Sequence, residues 1–106
     1  MVEKTEKNTS GTSFHCVTFN ANVNDLIKIF GEPTIQDNTG DYKTNFDWHL
    51  QTPSGDVFTV YDWKEYRKLN LDETIEWHIG AFSKDVSSEA KAQILDVFNL
   101  EIEEQY

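Results

Sequence analysis

Residues 45–63 constrain the fold more than any other stretch. Asn45 to Thr52 alternate, with Phe46, Trp48 and Leu50 on one side and Asp47, His49 and Gln51 on the other. That is the period of a half-buried strand. Pro53-Ser54-Gly55-Asp56 follows; proline presets φ and glycine permits positive φ, so the chain turns here. Val57 to Trp63 then returns with apolar residues on both faces, Val57, Tyr61 and Trp63 against Phe58 and Val60. A strand of that kind belongs in the centre of a sheet.

The flanking elements follow from the same rules. Phe14 to Phe19 is rich in Phe, Val and Thr and predicts a first strand. Asn22 is a suitable N-cap for a helix starting at Val23, because its side-chain oxygen can accept a free first-turn N–H. Val23, Leu26, Ile27 and Phe30 fall at i, i+3, i+4 and i+7 and form one apolar stripe. Gly31 suits the left-handed position past the helix end, and Pro33 forbids continuation. Residues 36–44 and 64–71 read as polar and charged loops. Thr74 to Ile79 alternates again, with Ile75, Trp77 and Ile79 opposed to Glu76 and His78. A second helix is predicted over 88–98, capped by Ser87 or Asp85, with Ala90, Ile94, Leu95 and Phe98 as its buried stripe. The order is β-α-β-β-β-α. Its economical packing is an α+β fold, a small antiparallel sheet of three or four strands with two helices on one face. The other face is left polar or partly aromatic.

A chain of 106 residues forms one domain, since halves would be too small to bury a core. The expected organisation is a disordered N-terminal arm over 1–13, a single α+β domain over 14–98 and an acidic C-terminal tail over 99–106. The opening segment has no apolar h-region, so no signal peptide is expected, and no apolar run approaches a membrane span. Nineteen acids against nine bases give a formal net charge of -10, which disfavours direct binding of nucleic acid or an anionic membrane. Cys16 is the single cysteine. It lies in an apolar run where a thiol usually packs as a small hydrophobe, and a reducing compartment is the simplest setting.

Three stretches occur together: Phe30-Gly31-Glu32-Pro33, Val60-Tyr61-Asp62-Trp63-Lys64-Glu65-Tyr66 and Glu76-Trp77-His78-Ile79-Gly80. The combination resembles a group of small uncharacterised proteins from bacteriophage genomes and prophages, over about residues 22–95. Ala81 stands where a second glycine is expected in that group. The resemblance implies a phage-encoded accessory protein acting in the host cytoplasm, and it transfers no catalytic residues.

Several constellations bear on chemistry. His15, His49 and His78 lie on three predicted strands and are weak metal candidates, since none belongs to a short ligand-spacing motif. Asp47 with His49, and Glu76 with His78, each share a strand face. If those strands pair, the four groups form a polar patch, either a histidine oriented by a carboxylate or a solvated sheet surface with ordinary charge pairing. Lys64, Arg67 and Lys68 form the only basic cluster and could hold a phosphate beside Trp63. Trp48 and Trp77 read as core, and Trp63 and Tyr66 as exposed anchors.

The leading expectation is a non-catalytic protein without a cofactor, which binds and blocks a host protein such as a defence or nucleic-acid enzyme. Its acids would stand where phosphates normally sit. Asp37, Asp41, Asp47, Asp56, Asp62, Glu65, Glu73 and Glu76 would supply the charge, and Trp63 and Tyr66 the anchors. One alternative is a binder or sequestering protein for a small molecule or nucleotide, built as a homo-oligomer around Lys64, Arg67 and Lys68. Another is a small virion or assembly component.

Overall fold

The structure is a computed structural model and describes residues 2–104, with side chains to Asn99. Six strands and two helices follow one another: β1 (Glu3–Lys4), β2 (Ser13–Ala21), α1 (Val23–Phe30), β3 (Ile35–Gln36), β4 (Phe46–Gln51), β5 (Val57–Tyr61), β6 (Ile75–Ala81) and α2 (Lys84–Glu104). All strand pairs are antiparallel, in the order β1-β4-β5-β6-β2, with β3 also against β4. The class is α+β, as the patterning predicts, but the sheet has six strands rather than three or four.

The two extra strands, β1 and β3, share the outer edge of β4. Glu3 and Lys4 pair with Gln51 and Leu50, and Ile35 and Gln36 with Asp47 and Phe46. Between them the Thr34 hydroxyl accepts the His49 N–H at 2.9 Å, and the Thr5 N–H donates to the His49 carbonyl at 3.1 Å. An edge strand presents unpaired backbone groups, and short pieces of chain cover them here. The N-terminal segment expected as a disordered arm is therefore held in the sheet by backbone hydrogen bonds.

One sheet face carries Phe46, Trp48 and Leu50 of β4, Phe58 and Val60 of β5, Trp77 and Ile79 of β6 and Phe19 of β2, all buried. Both helices contribute to that core, through Val23, Leu26 and Phe30 of α1 and Ala90 and Ile94 of α2. Trp48 and Trp77 meet edge to face with centroids 5.6 Å apart. Their indole N–H groups donate to the carbonyls of Gly31 and Ala21 at 2.9 and 2.8 Å, so neither ring buries an unpaired donor.

Helix α1 has the predicted limits. The Asn22 side chain accepts the Asp25 N–H at 2.7 Å, and Gly31 closes the helix at φ 82°. Helix α2 begins four residues before its predicted start. Ser83 is the cap: its hydroxyl accepts the Val86 N–H at 3.2 Å, and Ser87 lies buried inside the first turn. The buried stripe runs through Ser87, Ala90 and Ile94, with Phe98 partly buried, and leaves Leu95 exposed. The helix continues to Glu104 through most of the predicted tail, of which Gln105 and Tyr106 lie outside the described residues. Cys16 does not pack as a core thiol. The register of β2 against β6 shifts between Phe14 and Thr18, and Cys16 sits in this bulge, exposed and at φ 65°.

Candidate functional site on the open sheet face

The sheet's second face is built by register. Asp47 lies opposite Tyr61, Tyr61 opposite His78, and His78 opposite Thr18. One row along, His49 lies opposite Thr59, Thr59 opposite Gly80, and Gly80 opposite Phe14. The Asp47–His49 and Glu76–His78 pairs thus share a face, but their strands are not neighbours. β5 stands between them, and Tyr61 separates the two pairs.

β1 and β2 occupy opposite edges of the sheet, so residues 5–12 must cross between them. The helices fill the other side, and the crossing runs over the open face. The Lys7 ammonium donates to the Gly55 carbonyl at 3.0 Å, and Gly11 packs on the Phe82 ring at the end of β6. Between this segment and the sheet lies a cavity of about 270 Å³. Thr9, Thr12 and Ser13 form one wall, Thr44 and Trp63 the other, and Asp47, His49, Thr59, Tyr61 and Gly80 the floor. Gly80 is required by space: a Cβ there would stand 2.7 Å from the Thr59 hydroxyl oxygen.

Asp47 is the unusual group. Its Oδ1 is buried and accepts no hydrogen bond, and among the described residues it is the one buried side-chain polar atom in that state. His49 Nε2 lies 3.6 Å away, within ion-pair range but beyond a hydrogen bond. Burial pushes the Asp47 carboxyl up to about 6, against the pull of His49 and with a further push from the Asp62 charge. Tyr61 is raised by burial and then by Asp47, so its phenol stays protonated and can donate. His78 is lowered by burial against the pull of Glu76, which lies 3.9 Å away. Its ring stacks on Phe14 at 4.2 Å and lies near-parallel to Trp63 at 6.3 Å.

The other expected site residues fall into two groups. Trp63, Tyr66, Glu76 and Lys68 are exposed. Asp62 is fully buried and is not a surface carboxylate: it accepts the N–H groups of Asn45 and Phe46 at 2.8 and 2.9 Å and the Asn45 side-chain amide at 3.1 Å. Arg67 is committed to Glu73 through two bonds of 2.8 and 2.9 Å, with Glu65 at 3.6 Å. The basic cluster is thereby partly neutralised from within. The three histidines do not converge, and among the described residues no group of three or more metal-ligating side chains gathers. His15 Nε2 contacts the Ala81 carbonyl at 3.1 Å and the Ser13 hydroxyl at 3.3 Å.

Sequence reasoning missed Thr9, Thr12, Ser13, Thr44, Thr59, Tyr61 and Gly80, which enter the site through topology. No helix among the described residues is long and apolar enough to cross a membrane. Comparison with protein-family models, with curated proteins and with solved structures finds no match.

Proposed function

We propose that this protein is a non-catalytic binding domain that takes a small polar ligand into the cavity on its open sheet face. The observation that carries the reading is Asp47 Oδ1. A buried carboxylate oxygen without a donor is costly; Asp47 also lines the cavity, and a ligand N–H or O–H that meets the carboxylate once its side chain turns into that space relieves the cost. The hydroxyls of Thr9, Thr12, Ser13, Thr44, Thr59 and Tyr61 offer further donors and acceptors, and Trp63 closes one wall. A few polar groups converging in a largely preformed pocket is the usual form of a ligand site. The protein is read as phage-encoded, with sequestration of the ligand in the host cytoplasm as its role.

The test is a thermal-shift screen of polar metabolites at neutral pH, run on the native chain and on Asp47→Asn. A ligand that stabilises the native chain and binds Asp47→Asn about tenfold or more weakly, as expected for a charge-assisted hydrogen bond, supports the reading. Ligands that shift both proteins equally overturn it.

Net charge favours a second reading, the blocking of a basic host protein. Asp41, Asp56 and Glu76 are exposed and would contribute. Asp62 is internal, and Glu65 and Glu73 face Arg67. In a pull-down from host lysate, a nucleic-acid-handling protein retained at low salt and released at high salt is the expected result. Retention of nothing at low salt counts against this reading.

A further inference from the structure

The rim of the cavity carries a feature that the Asp47 site does not use. Lys43 and Lys64 both place their ammonium groups over the Trp63 ring, 5.8 and 5.4 Å from its centroid. Each lysine is the chain neighbour of a wall residue, Lys43 of Thr44 and Lys64 of Trp63. Among the described residues no carboxylate is paired with either ammonium. That is unexpected in a chain with 19 acids and 9 bases. Both approach the same ring, which requires a fixed arrangement of the two loops.

The backbone holds it. The Lys64 N–H donates to the Lys43 carbonyl at 2.7 Å, and Lys64 adopts the left-handed φ of 55°. A non-glycine residue pays strain there, and such strain collects where surrounding structure fixes a functional geometry. Asp62 and Asn45 clamp the two loops directly behind the lysines. The result is two lysines without a carboxylate partner around Trp63, a wall residue of the cavity whose floor holds a carboxylate.

We propose that the ligand is a nucleoside phosphate, with its base in the cavity against Asp47 and its phosphate outside on Lys43 and Lys64. This rests on the ligand-binding reading above. Base N–H groups match the Asp47 acceptor, and the Tyr61 and Trp63 rings, packed edge to face on each other, give the base an aromatic wall. The hydroxyls of the crossing segment suit a sugar. A volume of about 270 Å³, just below the usual range of roughly 300–1,000 Å³ for small-ligand sites, holds the nucleoside and leaves the phosphate at the rim. Lysine serves there as a point charge for phosphate. Arg67 and Lys68 are not needed, since Arg67 is already paired with Glu73.

The test is calorimetric titration with the four common nucleoside 5′-monophosphates and their parent nucleosides. At least one monophosphate is expected to bind about tenfold or more tightly than its nucleoside, with the difference shrinking as salt rises. Lys43→Gln with Lys64→Gln reduces the monophosphate to nucleoside affinity and leaves the nucleoside unchanged. Asp47→Asn weakens both by a similar factor. Equal affinity of monophosphate and nucleoside, or unchanged monophosphate binding by the double-lysine variant, overturns the phosphate site but leaves the Asp47 site standing. If the phosphate preference survives while Asp47→Asn changes nothing, the base is not on Asp47 and the proposal fails at its other end. Absence of binding by every monophosphate overturns it outright, and the metabolite screen then judges the cavity separately.

Discussion

Asp62→Ala is expected to destabilise the protein by about 3–5 kcal/mol, because it strands several buried donors at once. Asp62 Oδ1 accepts the Asn45 and Phe46 N–H groups, and Oδ2 accepts the Asn45 amide. Asn45 is also buried and passes the connection outward. Its Oδ1 accepts the Gly40 N–H at 3.0 Å, and its Nδ2 donates to the Arg67 carbonyl at 3.0 Å. Gly40 in turn lies so close to Arg67 that an added Cβ would stand 2.6 Å from its Cα, and its φ is 84°. Removing the carboxylate therefore unclips the loop before β4 from the loop after β5. Asp62→Asn keeps an oxygen for the two backbone donors but turns an NH₂ towards the Asn45 amide. It is expected to cost roughly half as much, since one bond of three is lost. Urea denaturation at neutral pH reads both variants. An Asp62→Ala midpoint equal to that of the native protein would show that water replaces the carboxylate freely and that the clamp is dispensable.

This clamp shows why parts of the molecule were legible in sequence and parts were not. Helix α1 could be read to its last residue because every signal agreed: the Asn22 cap, the apolar stripe, Gly31 and Pro33. Strands β4, β5 and β6 declare themselves by alternation or by a doubly apolar run. Asp62 follows such a run and looks by type like a surface acid. Its burial depends on which loop returns beside it, and sequence spacing carries no sign of that. β1 and β3 have two residues each, with exposed side chains. They pair chiefly through backbone, with the Gln51 amide also donating to Glu3 at 2.7 Å, so no periodicity could mark them. In α2 the buried stripe begins with the small residues Ser87 and Ala90, and this hides the helix start and favours Leu95 wrongly.

The candidate site divides in the same way. Asp47 and His49 stand on a strand whose faces the pattern assigns, and their chemistry is legible from it; Trp63, just past β5, reads as an exposed anchor, and Tyr61 reads only as an apolar strand residue. Their opposite wall comes from a threonine-rich segment with no pattern of its own. That segment crosses the sheet only because β1 and β2 take opposite edges, a choice made by strand order. Strand order also separates Asp47 from His78, which the patterning alone allowed to be neighbours.

Asp47→Asn should make the protein more stable at neutral pH while it weakens ligand binding. Burial raises the folded-state pKa of Asp47 from 3.8 to about 6. A raised carboxyl is a linkage cost: the unfolded chain releases this proton first, so stability falls as pH rises from about 4 towards 6. Below that window the group is neutral in both states and the cost vanishes. Above it the group is charged in both states and the cost is complete. With the Asp47 side chain about one-fifth exposed, solvent screening trims the ideal value, and about 2 kcal/mol of relief is expected for the asparagine variant at pH 7–8. The groups facing Asp47 fix the sign. His49 draws the pKa down, Asp62 pushes it up, and both are outweighed by burial; Tyr61 stays neutral across the range. Chemical denaturation at pH 4, 6 and 8 measures the effect. The two proteins should match at the lowest pH and diverge by the highest. A constant difference across the series would mean that asparagine acts through packing and not through the lost charge. A variant less stable at pH 8 would mean that the Asp47–His49 contact outweighs burial. The predicted pattern is that of a residue kept for binding at the expense of stability, and a bound donor at Oδ1 should recover that loss in the native protein alone.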